Sequence, residues 1–373
     1  MKIITIATNF GFGPSSKLYS IILELLKQKY KDITFCGNGE SLKFLKNNFK
    51  DKLTYIDCDT DNIDVQKFSE VVNIESYDLL INVMNLNIPK LQKNMDLKIK
   101  SVFIDSLSWM WEDLLNGIDE YDIYFAQNKF IDQAKLLKYQ NVQMINPIIN
   151  TEGYRKNNNC NKNKILINFA GIMTPYENDL FYREYIQFYL KLFLEIPNIN
   201  QYEIICACNT LQEMWIKENN NFDCNITFKV MTHKEFLSEA CESGKIFSTP
   251  GLTFYLESMV LGLRPHYLLP SNYSQALLLE KYSENPNNCI KISRYGYELS
   301  TDKLLDESRG VALVRQAFSE ICENYSEKIF NDLALYIDTD TNAKFKEDCP
   351  SKKESGEQEA IRIMHKKGLL NGG

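Results

Sequence analysis

The chain has 373 residues, of which 44% are apolar and 24% are charged, a globular composition at a length that favours two domains. Its 42 Lys and Arg residues against 49 Asp and Glu residues give a net charge of -7, which argues against a broad nucleic-acid-binding face. No stretch approaches the roughly 20 apolar residues of a transmembrane segment, and the opening MKIITIATNFGFG is too polar for a secretory signal. We therefore expect a cytoplasmic protein.

The first half of the chain alternates short β-branched runs with longer amphipathic runs. The predicted strands are residues 2–7, 33–37, 53–57, 79–84, 101–105 and 123–127. After the first of them, SKLYSIILELLKQKY repeats its apolar residues with the 3.6-residue period of a helix. This repetition of strand and helix predicts a mostly parallel sheet.

A glycine-rich loop, ATNFGFGPSS, follows the first predicted strand. Gly11 and Gly13 lack the third glycine and the downstream acidic residue of a dinucleotide-binding fingerprint, so NAD is not expected as a cofactor. Ser15 or Ser16 is expected to cap the helix that begins here.

Asp105 ends the predicted strand 101–105 and precedes a loop rich in serine and tryptophan. A carboxylate partly desolvated beside tryptophans can have a raised pKa and accept a proton from a substrate. An equally open alternative is that Asp105 caps the next helix. Trp109 could stack on a sugar or a planar acceptor, although core packing is the commoner role of tryptophan.

Two acidic strings raise the question of a metal site. DCDTDN at 57–62 and DTDT at 338–341 contain the spacing Asp-x-Asp, which can hold a divalent ion. Such spacing is frequent in acidic loops, so we interpret both strings as solvated loops. Cys206-Ala-Cys208 lacks the spacing of a zinc site, and we predict no metal.

The pattern breaks at residues 144–164, where Pro147 and a run rich in Asn and Lys predict a linker. It then restarts, with strands predicted at 165–170, 203–208, 226–231, 245–249 and 266–270. We therefore expect one domain over 1–150, a second over 151–340, and a polar tail over 341–373 that could end in a helix. Ligands of such sheets bind beyond the carboxyl ends of the strands.

The segment 248–282, STPGLTFYLESMVLGLRPHYLLPSNYSQALLLEKY, combines these features with a set of polar residues. Its turn Thr249-Pro250-Gly251 leads into a helix whose first N–H groups can bind an anion such as a diphosphate. Glu257 lies about a turn and a half later among apolar residues, where a carboxylate could accept two ribose hydroxyls. A lone glutamate here would instead be a solvated residue on the helix face.

This segment resembles the donor-binding signature of GT-B glycosyltransferases, especially the lipid II-forming peptidoglycan N-acetylglucosaminyltransferase and the UDP-glycosyltransferases. That signature has a Gly, a Thr, a Glu five positions before a second Gly, a Pro that closes the next strand, and Gln-x-x-Asn-Ala. The matching residues here are Gly251, Thr253, Glu257, Gly262, Pro270 and Ala276. The amides are exchanged, because Asn272 stands where Gln is usual and Gln275 where Asn is usual.

The resemblance implies a GT-B fold, in which two Rossmann-like parallel-sheet α/β domains face each other across a cleft. It places a nucleotide-sugar donor, most often a UDP-sugar, on the second domain and the acceptor on the first. The implied donor-binding residues are Gly171, Thr174, Val230, Met231, Thr249, Gly251, Leu252, Thr253, Glu257, Asn272 and Gln275. The implied acceptor-side residues are Gly11, Gly13, Ser15, Ser16 and Trp109.

Within that set, the resemblance gives each group its own role. Glu257 would bind the ribose, the turn from Gly251 to Thr253 the diphosphate, and the amides of Asn272 and Gln275 the sugar hydroxyls. The backbone around Val230 and Met231 would face the base. The loop NFAGIMTPYEN, 168–178, takes the place of the family's first glycine-rich loop after the linker.

GT-B enzymes often carry a catalytic His in the loop after the first strand, and this loop has none. The three histidines are His233, His266 and His365, all in the second half or the tail. We therefore expect Asp105 to be the general base of an inverting, metal-independent transferase without a cofactor.

Two other classes of function stay open. One is a nucleotide-sugar hydrolase or epimerase on the same scaffold, and the other is a non-catalytic nucleotide-sugar-binding protein. The sequence does not predict the acceptor, the sugar, the oligomeric state or the choice among uridine, thymidine and guanosine. If Asp105 is a cap, the base would be sought near Ser15, Ser16 or Glu112, or in the substrate.

Overall fold

The structure is a computed structural model of the chain. It describes residues 1–96, 98–110, 117, 119–127, 136, 138–155, 160–174, 180–219, 226–282, 289–299, 307–339 and 354–370. The chain divides into two compact units, one formed by Met1–Asn150 with Lys352–Gly373 and the other by Thr151–Ser351. Each unit has its own parallel sheet and apolar core.

The first unit contains a seven-stranded sheet with the order β3-β2-β1-β4-β5-β6-β7, in which all neighbours are parallel. Its strands are β1 Ile3–Ala7, β2 Ile33–Gly37, β3 Thr54–Asp57, β4 Leu79–Val83, β5 Lys100–Asp105, β6 Ile123–Gln127 and β7 Val142–Ile145. The helices described in this unit are α1 Gly13–Lys27, α2 Gly39–Phe49, α3 Val65–Val71, α4 Ile88–Met95 and, from the C-terminal segment, α11 Gly356–Lys366.

The central strands of this sheet are buried along their whole length, as the apolar runs predict. Helices on the two faces form two separate core clusters, one around Ile3, Leu18 and Ile22 and the other around Ile4 and Phe68. Parallel strands covered on both faces read as continuous apolar runs rather than as an alternating pattern.

Helix α11 packs against α1 and completes the first of these clusters. Ala360, Ile361 and Met364 are fully buried there. Asn146 is held through both its backbone and its side chain, since its N–H donates to Glu359 Oε2 (2.8 Å) and its Nδ2 donates to the Glu354 carbonyl (2.9 Å). The helical end of the predicted tail is therefore an integral part of the first unit.

The second unit contains a five-stranded sheet with the order β10-β9-β8-β11-β12, again parallel throughout. Its strands are β8 Asn161–Asn168, β9 Glu203–Cys208, β10 Ile226–Val230, β11 Ser243–Ser248 and β12 His266–Tyr267. Its described helices are α5 Phe181–Glu195, α6 Thr210–Glu218, α7 His233–Glu242, α8 Leu252–Leu261, α9 Tyr273–Tyr282 and α10 Glu307–Asp338, which is interrupted at Tyr325.

Every predicted strand overlaps an observed strand, but the predicted linker is too long at both ends. Its first residues belong to β7, an edge strand that is mostly half-buried and therefore lacks a long apolar run. Its last residues, Asn161 to Lys164, are the polar start of β8, which is drawn into the sheet by pairing with Ser243 and Glu203. Among the described residues, no helix is long and apolar enough to cross a membrane.

Candidate functional site

The carboxyl ends of the adjacent strands β8 and β11 are joined by hydrogen bonds at the carboxyl-terminal edge of the second sheet. Thr249 N–H donates to the Asn168 carbonyl (3.0 Å), and Asn168 Nδ2 donates to Ser248 Oγ (3.1 Å). A Cβ atom placed on Gly171 would lie 3.9 Å from Thr249 Oγ1, so the loops after the two strands are neighbours. The structure thus brings together Gly171 and Thr249, which the sequence assigned to the same ligand.

The loop after β8 is held in place by the start of α6. Asn209 Nδ2 donates to the Ala170 carbonyl (3.1 Å), and Gln212 Nε2 donates to the Phe169 carbonyl (3.0 Å). Asn209 and Gln212 also form a reciprocal capping box, which fixes the helix that carries them. Thr174 is buried at the end of the described loop, and residues 175–179 lie outside the described part of the chain.

Helix α8 begins at this edge without a cap from any described side chain. Gly251 is its N-cap residue, in an extended conformation (φ -157°). Apart from Gly251 and its two chain neighbours, no described residue has an atom within 4 Å of the position that a Cβ would occupy. Leu252 and Thr253 form the first turn, where helical N–H groups have no partner within the helix. Such a turn can accept an anion from solvent.

Glu257 is buried in α8 and pairs with a histidine from the preceding helix. His233 Nε2 lies 2.7 Å from Glu257 Oε1, and the two residues are 7% and 2% exposed. The second carboxylate oxygen of Glu257 has no hydrogen-bond partner among the described residues. One oxygen of this carboxylate is therefore held by His233, and the other can still accept a hydrogen bond from a ligand.

His233 is the first residue of α7, and only Thr232 separates it from the predicted base-facing segment Val230 and Met231. Val230 ends β10, while the Met231 side chain packs against the apolar cluster of the unit. Thr232 and Glu235 form a capping box, and the hydrogen bonds from Thr232 lower the pKa of Glu235. The spacing Thr-x-x-Glu was visible in the sequence and marks this helix start, but the partner of His233 was not predicted.

Asn272 and Gln275 lie at the start of α9, and their side-chain oxygens stabilise that helix end. Asn272 Oδ1 accepts from Gln275 N–H (3.0 Å), and Gln275 Oε1 accepts from Ser271 N–H (2.8 Å). The two amide nitrogens donate to no described residue. If these amides bind sugar hydroxyls, they do so as donors.

In the first unit, neither predicted serine caps α1. The N-cap residue is Phe12, Gly13 is the first helical residue, and no described side chain caps the helix. Ser15 and Ser16 lie inside the first turn, and Ser15 Oγ is buried without a hydrogen-bond partner in the described part of the chain. The helix starts earlier than predicted because Pro14 is well suited to a first turn. Gly11 has a positive φ of 60°, which explains the glycine.

Asp105 is fully buried, in contrast to the partly desolvated carboxylate that the base hypothesis required. Its Oδ1 accepts from Leu107 N–H (2.5 Å), and its Oδ2 accepts from the hydroxyl of Tyr124 on the neighbouring strand. These contacts favour a structural role, while residues 111–116, where the next helix and Glu112 were expected, lie outside the described part of the chain. Trp109 is 8% exposed and donates its indole N–H to the Ser106 carbonyl, so its ring belongs to the protein interior.

The interpretation of residues 57–62 as a solvated loop is wrong for Asp61. Its carboxylate accepts from Thr8 Oγ1 (2.6 Å), Asn9 N–H (2.9 Å) and Asn85 Nδ2 (3.0 Å), and burial raises its pKa. It ties the loops after β1, β3 and β4 together. In the second string, Asp338 is exposed, and residues 340 and 341 lie outside the described residues. No group of three or more His, Cys, Asp or Glu side chains in the described part of the chain is arranged to hold a metal ion.

No protein-family model and no curated protein sequence matches the chain. Solved structures match it over nearly its whole length. UDP-GlcNAc 2-epimerase from Methanocaldococcus jannaschii, in complex with UDP-GlcNAc and UDP, has a TM-score of 0.57 at 14% identity and covers 98% of this chain and 100% of its own. UGT89C1 from Arabidopsis thaliana, complexed with UDP, has a TM-score of 0.52 at 10% identity and covers 99% and 100%.

A third match is the glycotransferase of kitacinnamycin, with a TM-score of 0.52 at 9% identity over 98% of both chains. At such identities the matches show the fold and leave the reaction open. The predicted GT-B fold class is confirmed. The matching structures include both glycosyltransferases and a nucleotide-sugar epimerase.

Proposed function

We propose that the chain is a glycosyltransferase that takes a sugar from a nucleotide-sugar donor. A UDP-sugar is the first candidate for this donor. The observation that carries the proposal is Glu257, a buried carboxylate with one oxygen unpartnered among the described residues, on the uncapped helix α8. Burying a carboxylate is costly unless its oxygens accept hydrogen bonds, so a ligand with paired hydroxyls fits this position. Ribose is such a ligand.

The other residues of the edge suit the remainder of the donor. The diphosphate would lie at the start of α8, where Gly251 leaves space and the first N–H groups have no partner within the helix. The sugar hydroxyls would accept from the amides of Asn272 and Gln275. The acceptor would bind the first unit, and transfer would be inverting and independent of both metal and cofactor.

Isothermal titration calorimetry with UDP, TDP, GDP and NAD tests the donor site directly. We expect UDP to bind and NAD not to bind. Glu257→Ala should weaken UDP binding by about 1.5 to 3 kcal/mol, the usual value for a hydrogen bond to a charged group. Glu218→Ala, on the exposed end of α6, is the matched control and should leave UDP affinity unchanged. Equal affinity of the Glu257 variant and the wild type, with the fold intact, would reject the site.

An epimerase or hydrolase is the second candidate, since a UDP-GlcNAc 2-epimerase shares the fold at a TM-score of 0.57. The reactions separate when the protein is incubated with UDP-GlcNAc and no acceptor. A transferase leaves the donor intact, an epimerase changes its configuration at C2, and a hydrolase releases free sugar. Proton NMR of the reaction mixture distinguishes the three outcomes.

A further inference from the structure

The two oxygens of the Glu257 carboxylate are in different situations. Oε1 lies 2.7 Å from His233 Nε2, whereas Oε2 has no partner among the described residues. An ionised carboxylate can only accept, so Nε2 carries the hydrogen of this bond. The imidazole therefore determines which oxygen of Glu257 is used inside the protein and which is left for a ligand.

His233 is itself held firmly enough to orient a neighbour. It lies in the first turn of α7, where Thr232 N–H donates to Glu235 Oε2 (2.8 Å) and Glu235 N–H donates to Thr232 Oγ1 (3.3 Å). These reciprocal bonds fix the backbone on both sides of the histidine. At 7% exposure the ring has little room to adopt another rotamer.

We infer that His233 is a positioning residue that holds Glu257 Oε1 and thereby presents Oε2 to the ribose hydroxyls of the nucleotide. This inference rests on the proposed function, because it needs a ribose at Glu257. An N–H donor suits this role, because it fixes one oxygen of the carboxylate and leaves the other to accept from the hydroxyls. Without it, Glu257 would have to lose side-chain rotational freedom on binding.

The experiment removes either the histidine donor or the ribose hydroxyls and measures binding by calorimetry. His233→Ala should weaken UDP binding about tenfold, and His233→Gln, which keeps an N–H donor near the position of Nε2, should restore most of the loss. For 2′,3′-dideoxy-UDP, which lacks the hydroxyls that Glu257 would bind, wild type and His233→Ala should differ by less than about twofold.

His266→Ala is the control for loss of a buried histidine in the same unit, since His266 packs against the rings of Phe247 and Tyr336. It should affect the two nucleotides equally. If His233→Ala does not fold, His233→Met, of similar length and without a donor, takes its place in the comparison.

Equal losses for UDP and the dideoxy nucleotide in the histidine variant would overturn the inference and leave the donor site standing. Unchanged UDP affinity would do the same. If the wild type binds no nucleoside diphosphate at all, the proposed function fails and the inference fails with it.

Discussion

Tyr124 donates its phenolic hydrogen to Asp105 on the adjacent strand of the first sheet. The parallel register places Phe103 beside Tyr124, so Asp105 and Tyr124 are diagonal neighbours on one face. The carboxylate raises the pKa of the Tyr124 hydroxyl further than burial already does, because ionising the phenol would place two negative charges together. Asp105 therefore stabilises the interior in this structure.

We expect Asp105→Asn to lower the stability of the protein by about 1 to 3 kcal/mol, because a charged acceptor inside the protein is replaced by a neutral one. UDP affinity should not change, since the proposed donor site is in the other unit. Tyr124→Phe is the matched control and should destabilise in the same direction. A loss of turnover of roughly 10²- to 10⁴-fold without a loss of stability would instead restore Asp105 as the general base.

The uncapped start of α8 allows the diphosphate position to be tested. Gly251 has a φ that any residue can adopt, and no described atom outside its chain neighbours lies within 4 Å of its Cβ position. Gly251→Ala should therefore leave the stability within about 0.5 kcal/mol of wild type. The new methyl group would occupy the space proposed for the diphosphate. We therefore expect UDP affinity to fall at least about tenfold, or 1.4 kcal/mol, while uridine affinity is retained. Calorimetry with both ligands checks this, and equal losses for both would contradict it.

The order of strands and helices could be read from the sequence because buried parallel strands are continuous apolar runs. Ile3–Ala7 and Leu79–Val83 show this directly. The position of Glu257 on a helix that follows a strand could also be predicted from the sequence, because it depends only on local spacing. Its contact with His233 was not, because the two residues lie on separate crossover helices and meet only when both pack on the sheet.

The partners of two other carboxylates depend on register in the same way. Asp105 ends a strand in the sequence, but its burial depends on Tyr124 in the next strand. Asp61 lies in an acidic string that looks solvated, and only the convergence of loops after three strands supplies Thr8, Asn9 and Asn85 as donors. Sequence spacing alone does not contain these long-range contacts.

We expect the transfer reaction to need no metal ion. The proposed diphosphate site relies on helix N–H groups rather than on a bound cation. We expect dialysis against EDTA to leave transferase turnover within about twofold of that of the untreated enzyme. This is well below a tenfold change, which corresponds to about 1.4 kcal/mol of activation free energy. Assays after re-addition of magnesium or manganese complete the test. Complete loss with EDTA and recovery with either ion would show that a cation is required.

Helix α11 provides a matched pair of isoleucines for testing its part in the first unit. Ile361 is fully buried in the core cluster, whereas Ile363 is only partly buried against it. Ile361→Ala should cost about 2 to 5 kcal/mol, the usual range for truncating a buried isoleucine, and Ile363→Ala clearly less. Hydrogen exchange of β1 amides, followed by mass spectrometry, reports the stability of this unit by itself. Similar effects of the two variants would contradict the assigned packing.

The last prediction concerns pH and the first turn of α11. Burial raises the pKa of Glu357 by more than nearby hydrogen-bond donors lower it, and Glu24 adds to the rise. Oε2 of Glu357 is buried without a hydrogen-bond partner among the described residues. A carboxyl group with a higher pKa in the folded state than in the unfolded state stabilises the protein below its unfolded pKa, and this contribution is lost as pH rises through the folded pKa. At neutral pH the ionised side chain therefore opposes folding.

Glu357→Gln should raise the melting temperature at pH 7, and the difference from wild type should shrink toward pH 4, where the glutamic acid is protonated. Scanning calorimetry from pH 4 to 8 measures this, with the exposed Glu323→Gln as control. A Glu357→Gln variant that is less stable than wild type at pH 7 would mean that a favourable partner of the carboxylate outweighs the cost of burying it.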